Sequence, residues 1–289
     1  MTNVTAIVVT FDSAVVLAAC LSALNGQVDR IVVVDNASND ETVALATQAG
    51  AVVIRNSQNC GYGIANNRGI EAASEATWCL IVNPDVTLQP NCVAHLVAAA
   101  NRRPNAAILV PRLIEPDGRV FFRESSVLSG TPPIMPAAGV CPDDDGPIAF
   151  ASGACMLVKR DRFLELGGFD QNIFLFYEDD DLSLRMRKAG YDIVYVHAAE
   201  ALHLRGRSSV ARPGALYQQR FHLAWSRSYI LRKYGLRTNA LATVAVSSLK
   251  LLFARLRGKS NLIERHAGSL SGAWAALWRR PHPATRKSA

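Results

Sequence analysis

Short, nearly continuous runs of β-branched and apolar residues recur through the first third of this chain, each followed by an amphipathic stretch. The runs fall at 4–10, 31–34, 51–54, 78–82 and 106–110, and the stretches between them at 14–24, 40–49, 64–74 and 91–101. Ser38 and Asp40 mark the start of the second of these stretches. A strand that is apolar on both faces is stable only where both faces are covered. Strands of this kind separated by helices therefore predict an α/β fold, a Rossmann-like, mostly parallel sheet with helices on both faces. Further strands are predicted at 154–158 and 192–196, with a helix over 178–189 that stops at Gly190.

Ligands of such sheets sit beyond the carboxyl ends of the strands. The residues there are Thr10-Phe11-Asp12, Asp35-Asn36 and Asn83-Pro84-Asp85, all polar or acidic. Residues 124–147 are rich in Pro, Gly and Ser without a period and predict a long loop, a length often used for lids and binding loops.

Charge divides the chain. Residues 1–203 carry 14 Lys and Arg against 23 Asp and Glu, whereas residues 204–289 carry 17 against the single acid Glu264. An acidic body with a basic tail predicts a second role at an anionic surface. The tail is predicted helical at 215–234, 240–257 and 262–279. The middle helix is apolar early and basic late, which fits either packing on the body or an in-plane membrane helix, with Lys250, Arg255, Arg257 and Lys259 beside Leu251, Leu252 and Phe253. The expected organisation is one domain over 1–211 and a basic helical region over 212–289. The six cysteines form no CxxC pair and several lie in apolar runs, which predicts reduced, buried thiols. No signal peptide and no run of about 20 apolar residues is apparent, so a cytoplasmic protein at the inner face of the membrane is expected.

Four groups of residues suit chemistry. A carboxylate at Asp85, projecting from a strand end, suits a hard divalent cation that also bridges substrate phosphates, although Asn-Pro-Asp is equally ordinary turn chemistry. Glu178-Asp179-Asp180-Asp181 opens a helix that closes with Arg185, Arg187 and Lys188, as dipole complementation requires. Four adjacent acids exceed that need, and crowding or burial raises at least one carboxyl pKa, which suits a general base. His203 is followed by Arg205 and Arg207, whose guanidinium forks bind phosphates, and imidazole beside carboxylate suits Mn²⁺ somewhat more than Mg²⁺. Gly61-Tyr62-Gly63 is not a dinucleotide fingerprint, because the third glycine is missing and the motif follows the third strand rather than the first. No GxxxxGK[ST] is present either.

Taken together, seven stretches in order resemble the family 2 glycosyltransferases of GT-A fold, specifically the rhamnosyltransferase-like branch. They are AIVVTFDS at 6–13, IVVVDNASND at 31–40, NCGYGIANNRG at 59–69, LIVNPDV at 80–86, GACMLVKR at 153–160, LGGFDQNIFLFYEDDDLSLRMRKAGY at 166–191 and HLRGRSS at 203–209. The resemblance implies an inverting, metal-dependent transfer of a sugar from a nucleotide diphosphate donor to a lipid-linked or polysaccharide hydroxyl in cell-surface glycan synthesis. L-rhamnose from dTDP-rhamnose is the favoured donor, with UDP- and GDP-sugars as alternatives. It implies that Thr10, Asp35 and Asn36 contact the nucleotide, that Asn59, Gly61 and Asn67 shape the donor pocket, and that Asn83 holds the first position of a DxD-like element. It further implies Asp85 and His203 as contacts to Mn²⁺ or Mg²⁺, and Asp179 as the base. Asp12 stands where Asn is common, and Asp180 where an apolar residue is usual, so the base stays open between Asp179 and Asp180. The alternatives are a sugar-phosphate nucleotidyltransferase, which needs a glycine-rich basic loop that TFDSAVVLAAC lacks, and a non-catalytic glycan- or membrane-binding domain. The tail also lacks the interleaved aromatic platforms of a nucleic-acid binder, so a membrane surface and not nucleic acid is its expected partner.

Overall fold

The computed structural model describes residues 3–123, 127–128, 141–206, 208 and 212–278. Most of the predicted loop at 124–147, together with Arg207 and Arg279, lies outside them. The elements are, in order, β1 (Val4–Thr10), α1 (Ala14–Leu24), β2 (Arg30–Asp35), α2 (Thr42–Gln48), β3 (Val52–Arg55), α3 (Tyr62–Ala72), β4 (Trp78–Val82), β5 (Val86–Leu88), α4 (Cys92–Arg102) and β6 (Ala106–Ile114). They continue with β7 (Val120–Phe121), β8 (Gly146–Pro147), β9 (Cys155–Lys159), α5 (Arg160–Glu165), α6 (Glu178–Lys188), β10 (Asp192–His203), α7 (Ala215–Lys233), α8 (Ala240–Leu256) and α9 (Ser260–Leu277).

One sheet runs β3-β2-β1-β4-β9-β6-β10-β5, with β7 added to β6 and β8 to β10. The pairings make β1, β2, β3, β4, β6 and β10 run one way and β5, β7, β8 and β9 the other, so the sheet is mostly parallel with antiparallel insertions. The central strands are buried on both faces, as β1 shows. Val4, Ala6 and Val8 of β1 join a core with Leu17 and Leu24 of α1 and Leu96 of α4. Ile7 and Val9 point the other way, to Ile70 of α3, Phe163 of α5 and Met186 of α6. Gly69 lets α3 sit closely on β1, since a Cβ there would stand 2.4 Å from Ile7 Cγ2.

The chain clusters into two compact units, Met1–Asp170 with Asp179–Val210 and Gln171–Glu178 with Ala211–Ala289. In the second, Ser226 Oγ donates to Leu175 O at 2.9 Å and Phe174 stacks on His222, so an internal segment is held to α7. Gly268 and Gly272 let α9 approach α7: a Cβ on them would lie 2.2 Å from Tyr217 O and 2.3 Å from Phe221 O. Buried Leu251 and Ala254 face inward from α8, while Leu241, Leu249, Leu252, Phe253 and Leu256 stay exposed. Among the described residues no helix is long and apolar enough to cross a membrane. All six cysteines are free and all but Cys141 are buried. Burial pushes the Cys20, Cys79 and Cys92 thiols up to about 12, so they pack as inert apolar groups.

Sequence periodicity missed four elements: β5, β7, β8 and α5 are too short to show one. It also ended the strand at 192–196, where HAAEALH breaks the apolar run, whereas β10 continues to His203.

Candidate active site

Neighbouring β2, β1 and β4 bring their carboxyl ends to one side of the sheet. Thr10 and Asp35 are register partners there, and Thr10 Oγ1 donates to Asp35 Oδ1 at 3.1 Å. Ser38 N donates to Asp35 Oδ2 at 3.1 Å, and Ser38 Oγ also reaches this buried carboxylate. Asn36 ties the end of β2 to the start of α3. Its Nδ2 donates to Gly61 O at 3.2 Å, and its Oδ1 accepts from Asn56 Nδ2 at 2.8 Å. Asn59 Oδ1 accepts from Gly61 N at 2.9 Å, where the positive φ of 89° suits a residue without Cβ. Asn67 spends its amide on one backbone unit, donating to Phe169 O at 2.9 Å and accepting from Phe169 N at 2.8 Å. Asn59 and Asn67 thus set loop backbone rather than project freely.

His203 comes to Asp85 through a break in a ladder. After an early shift between Asp192 and Ile193, β10 and β6 pair in register from Ile193 opposite Ile108 to Val196 opposite Pro111, and resume at Glu200 opposite Arg112. Pro111 has no N–H to continue the ladder, and the three extra residues bulge out. Past the bulge β10 pairs with β5, setting His203 opposite Val86 and Leu204 N on Asp85 O at 3.0 Å. The His203 Nε2 to Asp85 Oδ1 distance is 3.7 Å, too long for a hydrogen bond. Burial pushes the imidazole below its ordinary pKa; Asp85 opposes this and Arg205 adds to it. At neutral pH the imidazole is therefore neutral. Neutral imidazole is the metal-ligating form of histidine, and this oxygen-plus-imidazole set fits a divalent cation of the Mn²⁺ kind. Among the described residues no group of three or more His, Cys, Asp or Glu side chains could hold a metal. Arg205 Nη1 donates to Glu115 Oε1 at 2.6 Å, and its guanidinium lies 4.7 Å over the Phe121 ring. Five N–H donors leave it others for a phosphate.

The acids at the start of α6 differ in their surroundings. Asp181 is fully buried and accepts from Arg185 Nε at 2.7 Å, while the rest of that fork holds Leu166 O and Gly168 O. Asp180 is buried and pairs with Arg123 at 3.4 Å. Asp179 is half-buried. Backbone N–H groups grip it, from Gly153 to Oδ2 at 3.2 Å and from Asp180 to Oδ1 at 3.0 Å. Burial raises its pKa above the ordinary aspartate value, against the pull of these bonds and of Arg123. Just before α6, Phe176 and Tyr177 both take left-handed backbone, with φ of 69° and 70°. That is a strained pair for bulky residues.

Asp179 and the β4 tip meet through two residues. Gly153 N binds the Asp179 carboxylate, and the next residue, Ala154, accepts from Asn83 N at 2.9 Å. Tyr62 at the start of α3 donates its hydroxyl to Gly153 O at 2.5 Å. At the other side of the site Ser13 Oγ donates to Ser208 O at 2.6 Å, bringing the segment after β10 to the end of β1. Sequence reasoning missed Arg123, Glu115, Gly153 and Tyr62. Each acts through a partner on another element, and nothing in its local pattern announces that.

Residues 5–167 match the family model described as Glycosyl transferase family 2. The chain is 33% identical over 247 residues to the N-acetylglucosaminyl-diphospho-decaprenol L-rhamnosyltransferase of Mycobacterium tuberculosis, an alignment spanning 74% of this chain and 80% of that one. It is 34% identical over 89 residues to rhamnosyltransferase WbbL of Escherichia coli K12, spanning 31% and 33% of the two chains. Among solved structures it resembles mannosyltransferase PcManGT from Pyrobaculum calidifontis, bound to GDP-Man and Mn²⁺, with a TM-score of 0.58. That match has 14% identity and covers 96% of this chain and 88% of that one; it shows the GT-A fold.

Proposed function

Because the chain belongs to glycosyltransferase family 2, we propose that it is an inverting, cation-dependent rhamnosyltransferase acting on a lipid-linked hydroxyl acceptor. It is a glycosyltransferase enzyme of glycan synthesis; the donor, cation and acceptor are the proposed part. dTDP-rhamnose is the favoured donor, supported by the two rhamnosyltransferase relatives. One observation carries the reading. The backbone at 153–154 touches both the Asp179 carboxylate and the strand tip leading to Asp85, which keeps base and leaving-group machinery in one neighbourhood.

In this mechanism Thr10, Asp35 and Asn36 receive the nucleoside, while Asn59, Gly61 and Asn67 hold the loops of the donor pocket in shape. Asp85 and His203 would hold the cation, with Asn83 two residues before Asp85 at the same strand tip. When bound, Mn²⁺ or Mg²⁺ supplies positive charge against the departing diphosphate. Arg205 adds a guanidinium to the same phosphates. Asp179 accepts the proton of the acceptor hydroxyl as its oxygen bonds to the anomeric carbon and the bond to the diphosphate breaks. Asp180 and Asp181, each engaged by an arginine, are poorer candidates for that proton. The catalytic domain is assigned to 1–211 and the basic helical region to 212–289.

That region is proposed to lie on the anionic cytoplasmic leaflet. In its support, Leu241, Leu249, Leu252 and Leu256 share one exposed side of α8, and Trp274 of α9 and Trp278 just past its end are exposed. Donor hydrolysis across a panel of nucleotide sugars, with and without Mn²⁺, tests the catalytic reading. The expected result is cation-dependent release of dTDP from dTDP-rhamnose; hydrolysis of no nucleotide sugar would overturn it.

A further inference from the structure

In the helical unit, α7, α8 and α9 line a cleft of about 420 Å³, within the size range of small-molecule sites. Arg220 and Arg227 of α7 and Lys250 of α8 contribute to its wall, with Ser247 and Ser269 between them and no acidic side chain. Three cations around one cavity repel, and folding alone gives no reason to gather them. The cost is visible at Arg220: its Nε is buried without a hydrogen-bond partner, and burial and Arg265 both push its pKa down. His266 is likewise depressed, first by burial and then by Arg265, Lys250 and Arg220. The Nε itself lies out of solvent reach, so it is the cations of the wall, with no acid among them, that suit an anion the protein does not supply.

The apolar surface beside the cleft narrows the choice of anion. Val246 lines the cavity and is also exposed. Turning about 100° per residue along α8, it stands between Lys250 and the exposed face of Leu249, Leu252 and Leu256. A ligand with its charged head in the cleft therefore has an apolar track along which to lay a hydrocarbon chain.

The geometry points to this cleft as the binding site for the diphosphate of the lipid-linked acceptor, with the lipid chain lying along α8. The inference rests on the proposed function in taking the acceptor to be lipid-linked. It deepens that reading by assigning the acceptor's anionic head to residues well separated in sequence from the donor site.

The test uses the full chain and farnesyl diphosphate, a short soluble lipid diphosphate, titrated in EDTA so that no cation-held diphosphate contributes. Inorganic pyrophosphate and phosphatidylglycerol vesicles serve as parallel probes. The wild type is expected to bind farnesyl diphosphate more tightly than pyrophosphate, and Arg227→Gln with Lys250→Gln to weaken that binding ten-fold or more. Both side chains are exposed, and Lys250→Gln alone is read as well, in case the pair alters the melting temperature. Unchanged binding in the variants would overturn the site. Binding of vesicles but not of farnesyl diphosphate would overturn the acceptor assignment and leave a bilayer-headgroup site. Donor hydrolysis in the same preparations reports separately on the proposed function: its absence from the wild type would sink that reading without touching the cleft.

Discussion

Two backbone N–H groups and Arg123 favour the charged form of Asp179, burial opposes them, and burial wins: its pKa is raised. A base must be ionised to work. Turnover is therefore expected to fall on the acid side, with a limb above the 3.8 of an ordinary aspartate, and a pH profile of kcat measures this. For stability the same shift has the opposite sense. A carboxyl whose folded pKa is raised favours the folded state below its unfolded pKa and loses that contribution as pH rises through the folded one. Asp179→Asn is expected to cut kcat by about 10²–10⁴-fold while leaving donor affinity near that of the wild type. A loss of that size in Asp180→Asn with little effect of Asp179→Asn would move the base to Asp180. At the strand tip, His203→Ala is expected to weaken Mn²⁺ binding by about 10–100-fold or more, read by titration of the metal. Equal Mn²⁺ affinity would remove His203 from the cation site.

At the level of elements, glycine decides how closely α7 and α9 approach. Gly268→Ala would set a Cβ 2.2 Å from the Tyr217 carbonyl, and a backbone atom cannot swing aside as a side chain can. We expect about 1–3 kcal/mol of destabilisation, seen as a lower melting temperature. Gly146→Ala, which meets nothing within 4 Å, is the control. The bulge in β10 matters for a different reason. It resets the register between Val196 and Glu200, and only after it does the strand reach β5 and align His203 with Asp85.

For the whole molecule, the uneven charge along the chain and the exposed apolar side of α8 belong together in the membrane proposal. Leu252→Glu with Phe253→Glu, both exposed in the full chain, are expected to abolish sedimentation with phosphatidylglycerol vesicles without lowering the melting temperature. Raised salt is expected to weaken the wild-type interaction as well, since part of it is screened charge. Full binding by the double variant would mean that α8 is not the docking face.

Local pattern alone determined much of this protein. Apolar runs such as 4–10 and 78–82 dictated strands buried on both faces, the breaks after Thr10, Asp35 and Val82 put polar residues at the strand tips, and the basic tail was legible by counting charges. Those signals are encoded by neighbours in sequence, so they survive without a fold. Tertiary structure alone decided the pairings of residues far apart along the chain: Arg123 with Asp180, Glu115 with Arg205, Gly153 with Asp179, and the amide of Asn67 with Phe169. It also separated Asp179, Asp180 and Asp181 of the four adjacent acids into different roles. Their sequence context is nearly the same, and what distinguishes them is which guanidinium or backbone N–H the rest of the fold brings to each.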